Sequence, residues 1–224
     1  NWLCGSVPTA STDVIIPSGL SNYPVHNSGT ASLKNLIINS GASLTISDAT
    51  LQITGAISNS GTFNAGNGII EMTGTTAQSI PAHAFAFNMV ANLIINNSAG
   101  ITLADTLNIT GELIILNGTI NTVGYLVLKS SDTATARVAT ITSQAATPIN
   151  GTVTVERYVP GRRKYRLITA TVTSSTNAVL TAGQENLSIW GNWQNSGNII
   201  TPNNGTLITG GTINDGFDQG TTNA

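Results

Sequence analysis

Asn35 to Gly41 reads NLIINSG, and Asn92 to Ser98 reads NLIINNS. Two further pairs keep the same order. TLQITG at 50–55 returns as TLNITG at 106–111, and Gly61-Thr62-Phe63-Asn64 returns as Gly118-Thr119-Ile120-Asn121. The offsets between partners are 57, 56 and 57 residues. A block of roughly 57 residues thus occurs twice in register, and internal repetition of this length is the signature of a solenoid or array. Within each block, runs of two to five apolar or β-branched residues are punctuated by Gly and Asn, which reads as short strands and tight turns. In Leu44-Thr45-Ile46 and Leu51-Gln52-Ile53 the apolar residues alternate with polar ones, so one face of each strand is greasy and the other wet.

Such strands cannot each bury a face alone. Stacking one coil on the next pairs their backbones and buries a continuous aliphatic column. Each inward Leu or Ile gains about 1.5–3 kcal/mol from that burial. The expected fold is therefore all-β: a right-handed parallel β-helix, or β-solenoid, from about residue 12 to 155. Residues 1–30 are expected to cap the first coil, with Trp2 as a plug. Residues 31–150 form the body carrying the ~57-residue duplication, and 151–224 form a smaller β-rich module, whole or half, that continues in a parent protein.

Composition supports this and excludes much else. The 224 residues include 33 Thr, 25 Asn, 20 Ser and 23 Gly, all poor helix formers. Hydrophobic residues still make up 40%, enough for a core. Charged residues are only 8%, with 8 Lys plus Arg against 10 Asp plus Glu, a net charge of -2. That balance gives no electrostatic grip on nucleic acid. No apolar run of about 18 residues is present, so no transmembrane helix is expected. The start NWLCG has neither a signal stretch nor an initiator Met and reads as a mature or excised fragment.

Few residues are available for chemistry. His26 and His83 lack metal-ligand spacing, and Cys4 is the single cysteine, so neither a metal nor a cofactor is expected. Cys4 reads either as a small hydrophobe or as half of a disulfide whose partner lies upstream. The carboxylate pairs worth testing for glycosidase chemistry are Asp48 with Asp105, and Glu71 with Glu112. Asp48 and Asp105 fall at matching places in the two blocks, in the turn-like contexts SDAT and ADTL. Five of the eight basic residues lie between Arg157 and Arg166. Arg162, Arg163 and Tyr165 in this cluster offer an anionic-glycan site, or a strand and turn whose arginines pair with Glu156 and pack on Tyr158. The chain after the cluster reads as loop-like. There Trp190 and Trp193 offer a sugar-stacking platform or the anchors of a small second core. Thr45, Thr54, Thr73, Thr102, Thr110 and Thr119 supply raw material for an ice-binding face, but no strict Thr-x-Thr column recurs.

The motif order resembles a known family. Its elements are Asn1-Trp2, then VPTASTDVIIP at 7–17, Asn22-Tyr23-Pro24-Val25, NLIINSGASLTI, the repeated ITG, ERYVPGRRKYRL at 156–167, GNWQ at 191–194, GTLITG at 205–210 and Gly216-Phe217-Asp218. Together they resemble the large exported surface proteins of Bacteroidota, which carry β-helix segments and usually end in a type IX secretion sorting domain. That sorting domain is not in this chain. The resemblance implies a secreted, extracellular or cell-surface location and a missing partner for Cys4. It also implies O-glycosylation at Asp-Ser/Thr motifs, here Thr106 and Thr133.

The functional expectation is a non-catalytic structural or adhesive module whose partners are carbohydrate or copies of itself. The alternative is a carbohydrate-binding or polysaccharide-active β-helix, a lyase or hydrolase. An ice-binding solenoid is a third reading.

Overall fold

The computed structural model describes residues 7–139 and 141–158, together with four short strands further on. The chain divides into two units, Asn1–Arg162 and Arg163–Ala224.

The first unit is a parallel β-solenoid of about six turns. Each coil offers three strand positions. Coil 1 has β1 (Val14–Ile16), β2 (Val25–His26) and β3 (Thr30–Leu33). Coil 2 has β4 (Leu36–Ile38) and β5 (Ser43–Ile53), a long strand that fills the second and third positions. Coil 3 repeats this with β6 (Ile57–Asn59) and β7 (Thr62–Met72), and coil 4 with β8 (Gln78–Ile80) and β9 (Met89–Asn96). Coil 5 has β10 (Ile101–Leu103), β11 (Leu107–Ile109) and β12 (Glu112–Asn117). Coil 6 has β13 (Ile120–Asn121), β14 (Leu126–Leu128) and β15 (Arg137–Val138). A seventh coil begins with β16 (Ile149–Asn150) and β17 (Val153–Val155). First-position strands start at residues 14, 36, 57, 78, 101, 120 and 149, so a coil takes 19–29 residues.

All named strand pairs are parallel, as one-way winding demands. Second- and third-position strands merge into one ten-stranded sheet. First-position strands form two sheets, β1-β4-β6 and β16-β13-β10-β8. In-register stacking places like on like: Leu36 on Val14, Leu51 on Ala31, Leu93 on Ile70 and Leu113 on Leu93. Alternation then sends Leu36, Ile38, Ile53, Phe63, Ile70, Leu93, Ile95, Ile109 and Ile115 inward, none more than 1% exposed. They form one continuous core cluster.

The repeated strings occupy non-equivalent places, which corrects the expectation of a structural duplication. NLII at 35–38 lies in a first-position strand of coil 2, whereas NLII at 92–95 lies in the third position of coil 4. TLQI feeds the third position and TLNI the second. Phe63 sits in the second position and Ile120 in the first. Each match therefore spans two and two-thirds coils. The strings encode a generic strand and corner, and any of the three positions accepts them.

Stacking also runs past residue 150. Val153 pairs with Leu126 and Val155 with Leu128, and both valines pack against the same core. At the other end, β1 and β2 fall within the segment expected to be a cap, yet they pair as ordinary strands with β4 and β5. The texture change at 131–150 is an insertion in coil 6, where Ser130 and Thr135 form an isolated antiparallel bridge.

Corners need residues that turn without a side chain. Gly118 adopts φ +79°, and a Cβ there would lie 1.8 Å from the Asn97 carbonyl oxygen one coil below. Both the left-handed backbone and the close approach require glycine.

The first-position sheet is interrupted between β6 and β8, and Gln78 spans the gap. Its Nε2 donates to the carbonyls of Ile53 (3.0 Å) and Gly55 (2.7 Å). Its Oε1 accepts from Gly74 N–H (3.1 Å) and from Asn97 Nδ2 (2.7 Å). Gln78 is buried and Asn97 is fully buried, and Asn97 also donates to Thr76 O and accepts from Ala99 N–H. These side chains replace main-chain bonds that the interrupted sheet does not supply.

In the second unit, β18 (Leu180–Ala182) pairs parallel with β20 (Ile200–Pro202), and β19 (Leu187–Trp190) with β21 (Leu207–Gly210). Leu180 pairs with Ile200 and Leu187 with Leu207, the same 20-residue interval in both pairs. The expectation of a loop-like tail is corrected: parallel strands recur at coil-like spacing. The signal was readable, since NLSI at 186–189 and GTLIT at 205–209 have the strand pattern of the solenoid.

Candidate functional site

Glu71 and Glu112 are built into bonds between coils. Gln52 Nε2 donates to Glu71 Oε2 (2.9 Å), and Asn96 Nδ2 donates to Glu71 Oε1 (3.0 Å). Ser32 extends the ladder by donating to Gln52 Oε1 at 2.7 Å. Glu71 stays only 8% exposed although it lies on the outer side of β7. Glu112 bonds Arg137, its stacking partner on β15. Glu71 and Glu112 lie two coils apart, roughly 9.6 Å of rise. Replacing Glu71 with Ala leaves two amide donors without acceptors and lowers unfolding free energy by about 1–3 kcal/mol. Glu71→Gln, which keeps one acceptor, costs less. Urea unfolding of both variants measures this, and equal stability of E71A and wild type would contradict it.

Asp48 and Asp105 do not share a corner. Asp48, at φ 56°, is exposed at the bend within β5 and accepts from Ser47 Oγ. Asp105 sits at the turn between β10 and β11, where Oδ1 accepts from Thr106 N–H at 2.7 Å. Each thus sits at a turn, as the contexts SDAT and ADTL suggest, and the pair weighed for glycosidase chemistry is not brought together, for the same two-thirds-coil reason.

Other expected sites are dispersed. His26 Nε2 lies 3.2 Å from the Thr50 carbonyl, a contact between neighbouring coils. Glu156 bonds Lys129 and accepts from Ser130 N–H; the arginines at 162–166 that it was expected to pair with lie outside the described residues. Tyr158 N–H donates to Ser130 Oγ. Thr106 is half-buried beside Asp105, whereas Thr133 is exposed on the coil-6 insertion. Thr45 and Thr102 face outward from different strand positions, while Thr54, Thr73, Thr110 and Thr119 sit at or beside corners, so they form no single face. Cys4, Arg162, Arg163, Tyr165 and Trp193 lie outside the described residues, and Trp190 is described only as the last residue of β19. Among the described residues, no group of three or more His, Cys, Asp or Glu is placed to hold a metal. No helix among them is long and apolar enough to cross a membrane.

Sequence reasoning missed the loop of coil 4, Pro81–Asn88 between β8 and β9. Phe85 is buried there and packs on Phe63, with ring centroids 5.0 Å apart and planes tilted 41°. Asn59 Nδ2 pins the loop by donating to the carbonyls of His83 (3.2 Å) and Ala84 (3.1 Å). A single 3-10 turn, Ala86–Asn88, follows. His83, Phe87 and Asn88 all have positive φ, at 56°, 57° and 52°. Phe87 pays about 1–2 kcal/mol for that conformation, whereas Asn and His adopt it more readily. Phe87 is 91% exposed, so it also forgoes the roughly 1.5–3 kcal/mol that burial of its ring would supply. The groove beside it has a volume of about 580 Å³ and is lined by Asn59, Thr62, His83, Phe85, Phe87 and Asn88, among others. Asp105 reaches the rim, with Oδ2 4.0 Å from His83 Nδ1 and 3.5 Å from Asn88 Nδ2. The one signal in the sequence was the spacing AFAFN at 84–88, two aromatics that period-2 alternation would place on one side.

The fold thus defines a β-solenoid protein. Compared with models of protein families, with curated proteins and with solved structures, the chain matches none.

Proposed function

We propose that the chain is a non-catalytic structural and adhesive module of a secreted bacterial cell-surface or extracellular fibre protein, of the kind that Bacteroidota export by type IX secretion. The observation that carries this reading is the use made of the outward polar groups. Ser32, Gln52, Glu71 and Asn96 form one inter-coil chain, Glu112 bonds Arg137, and Asn150 Nδ2 donates to Asn121 Oδ1 at 2.8 Å. These bonds run along the stacking direction and strengthen the ladder lengthwise, which suits a stalk that carries load. Parallel pairs at a 20-residue interval beyond Arg163 support further winding of the same kind. In this reading exposed Thr133 is the accessible O-glycosylation site, and carbohydrate or copies of the chain are the partners.

The test is deletion of this segment from the parent protein in the producing bacterium. Surface attachment or fibre formation is lost, while polysaccharide breakdown continues unchanged. Intact attachment and fibres in the deletion strain would count against the proposal. So would polysaccharide turnover by the purified chain that disappears in Asp105→Asn.

A further inference from the structure

We propose that the coil-4 loop is a binding site for a neutral glycan, with the Phe87 ring stacking on the apolar face of a pyranose. The inference deepens the adhesive reading above and rests on it for its biological setting, but its observations are those of the loop alone.

The loop is held at both ends of its depth. Phe85 against Phe63 anchors it in the core, and Asn59 ties its backbone to coil 3. Its outer part is held in three left-handed backbone positions, at His83, Phe87 and Asn88, with the Phe87 ring projecting into solvent. Nothing in the packing of the solenoid requires that projection. Strained, over-determined backbone of this kind is characteristic of ligand clamps. The adjoining groove, of about 580 Å³, lies open to solvent along the exposed face of the loop.

The chemistry around the ring selects the ligand class. An aromatic face attracts the C–H face of a sugar, and hydroxyls need donors and acceptors at the ring's edge. The groove that Phe87 lines also carries the Thr62 hydroxyl, the His83 ring with a side chain 83% exposed and the Asn88 amide, and the Asp105 carboxylate lies against His83 and Asn88. The carboxylate disfavours anionic sugars. A protein partner would need about 800 Å² of matched surface. Phe87 is the one large exposed hydrophobe among the residues lining this groove, and Ser58 and Ser79 on the nearby strands are polar and exposed.

The experiment is a glycan array with the purified 224-residue chain, followed by calorimetric titration of its best neutral ligand. Phe87→Ala is expected to weaken binding roughly tenfold or more, with no change in Tm because the ring is exposed. Phe87→Trp is expected to retain or tighten it. Neutral-glycan binding undiminished in F87A would overturn the proposal and send attention to Trp190 and Trp193. Self-association abolished by F87A, with no glycan bound, would overturn it in favour of a contact between copies. Absence of any neutral-glycan binding would overturn it too, yet leave the attachment phenotype of the deletion strain intact.

Discussion

Gln78→Leu lowers the unfolding free energy by about 3–5 kcal/mol, although leucine matches glutamine in size. The side chain closes four hydrogen bonds, to Ile53 O, Gly55 O, Gly74 N–H and Asn97 Nδ2. Leucine satisfies none of them. Each buried group left unpaired costs about 1–3 kcal/mol, and water reaching the less enclosed ones limits the total. The gap between β6 and β8 has no main-chain ladder to take over. Urea unfolding followed by circular dichroism measures the loss, and native-state hydrogen exchange locates it at the Gly74 amide. A loss below 1 kcal/mol would show that the gap is bridged by something other than Gln78.

Phe63→Ala is the second large effect. Phe63 is fully buried, the largest side chain so enclosed among the described residues. Its removal leaves a cavity between coil 3 and the coil-4 loop, and Phe-to-Ala changes in such places cost about 3–5 kcal/mol. The consequence reaches beyond stability, because Phe85 loses the ring against which it packs. A double-mutant cycle with Phe85→Ala should give a coupling of about 0.5–1.5 kcal/mol. In a stacked array each coil contacts its neighbours, so the damage concentrates in coils 3 and 4. Hydrogen exchange that rises uniformly from β1 to β17, or a coupling of zero, would contradict this account.

Much of the solenoid was legible because its rules are local. Leu51-Gln52-Ile53 states which side chains turn inward, and Gly118 marks a corner that admits no side chain. The candidate site was less so. Asp48 and Asp105 matched in the sequence but stand at different corners, and Glu71 and Glu112 turned out to be rungs of the ladder. Pairing across coils depends on how many residues each corner consumes, which varies from coil to coil and carries no fixed signature.

Taken by itself, the sequence determined that this chain is all-β, wound in short parallel strands around an aliphatic column. Alternating side chains give each strand one face to bury, and the recurrence of the same short strings points to coils stacked on one another rather than to two packed sheets. The tertiary structure alone decided which strand lies on which. Leu36 and Leu93 sit in identical strings yet occupy different strand positions, because each position asks for the same chemistry. It alone decided, too, that Phe85 goes in and Phe87 goes out. Two residues apart on an extended strand they would point the same way, and the left-handed turn at Phe87 reverses that only because Phe63 and Asn59 hold the loop in place.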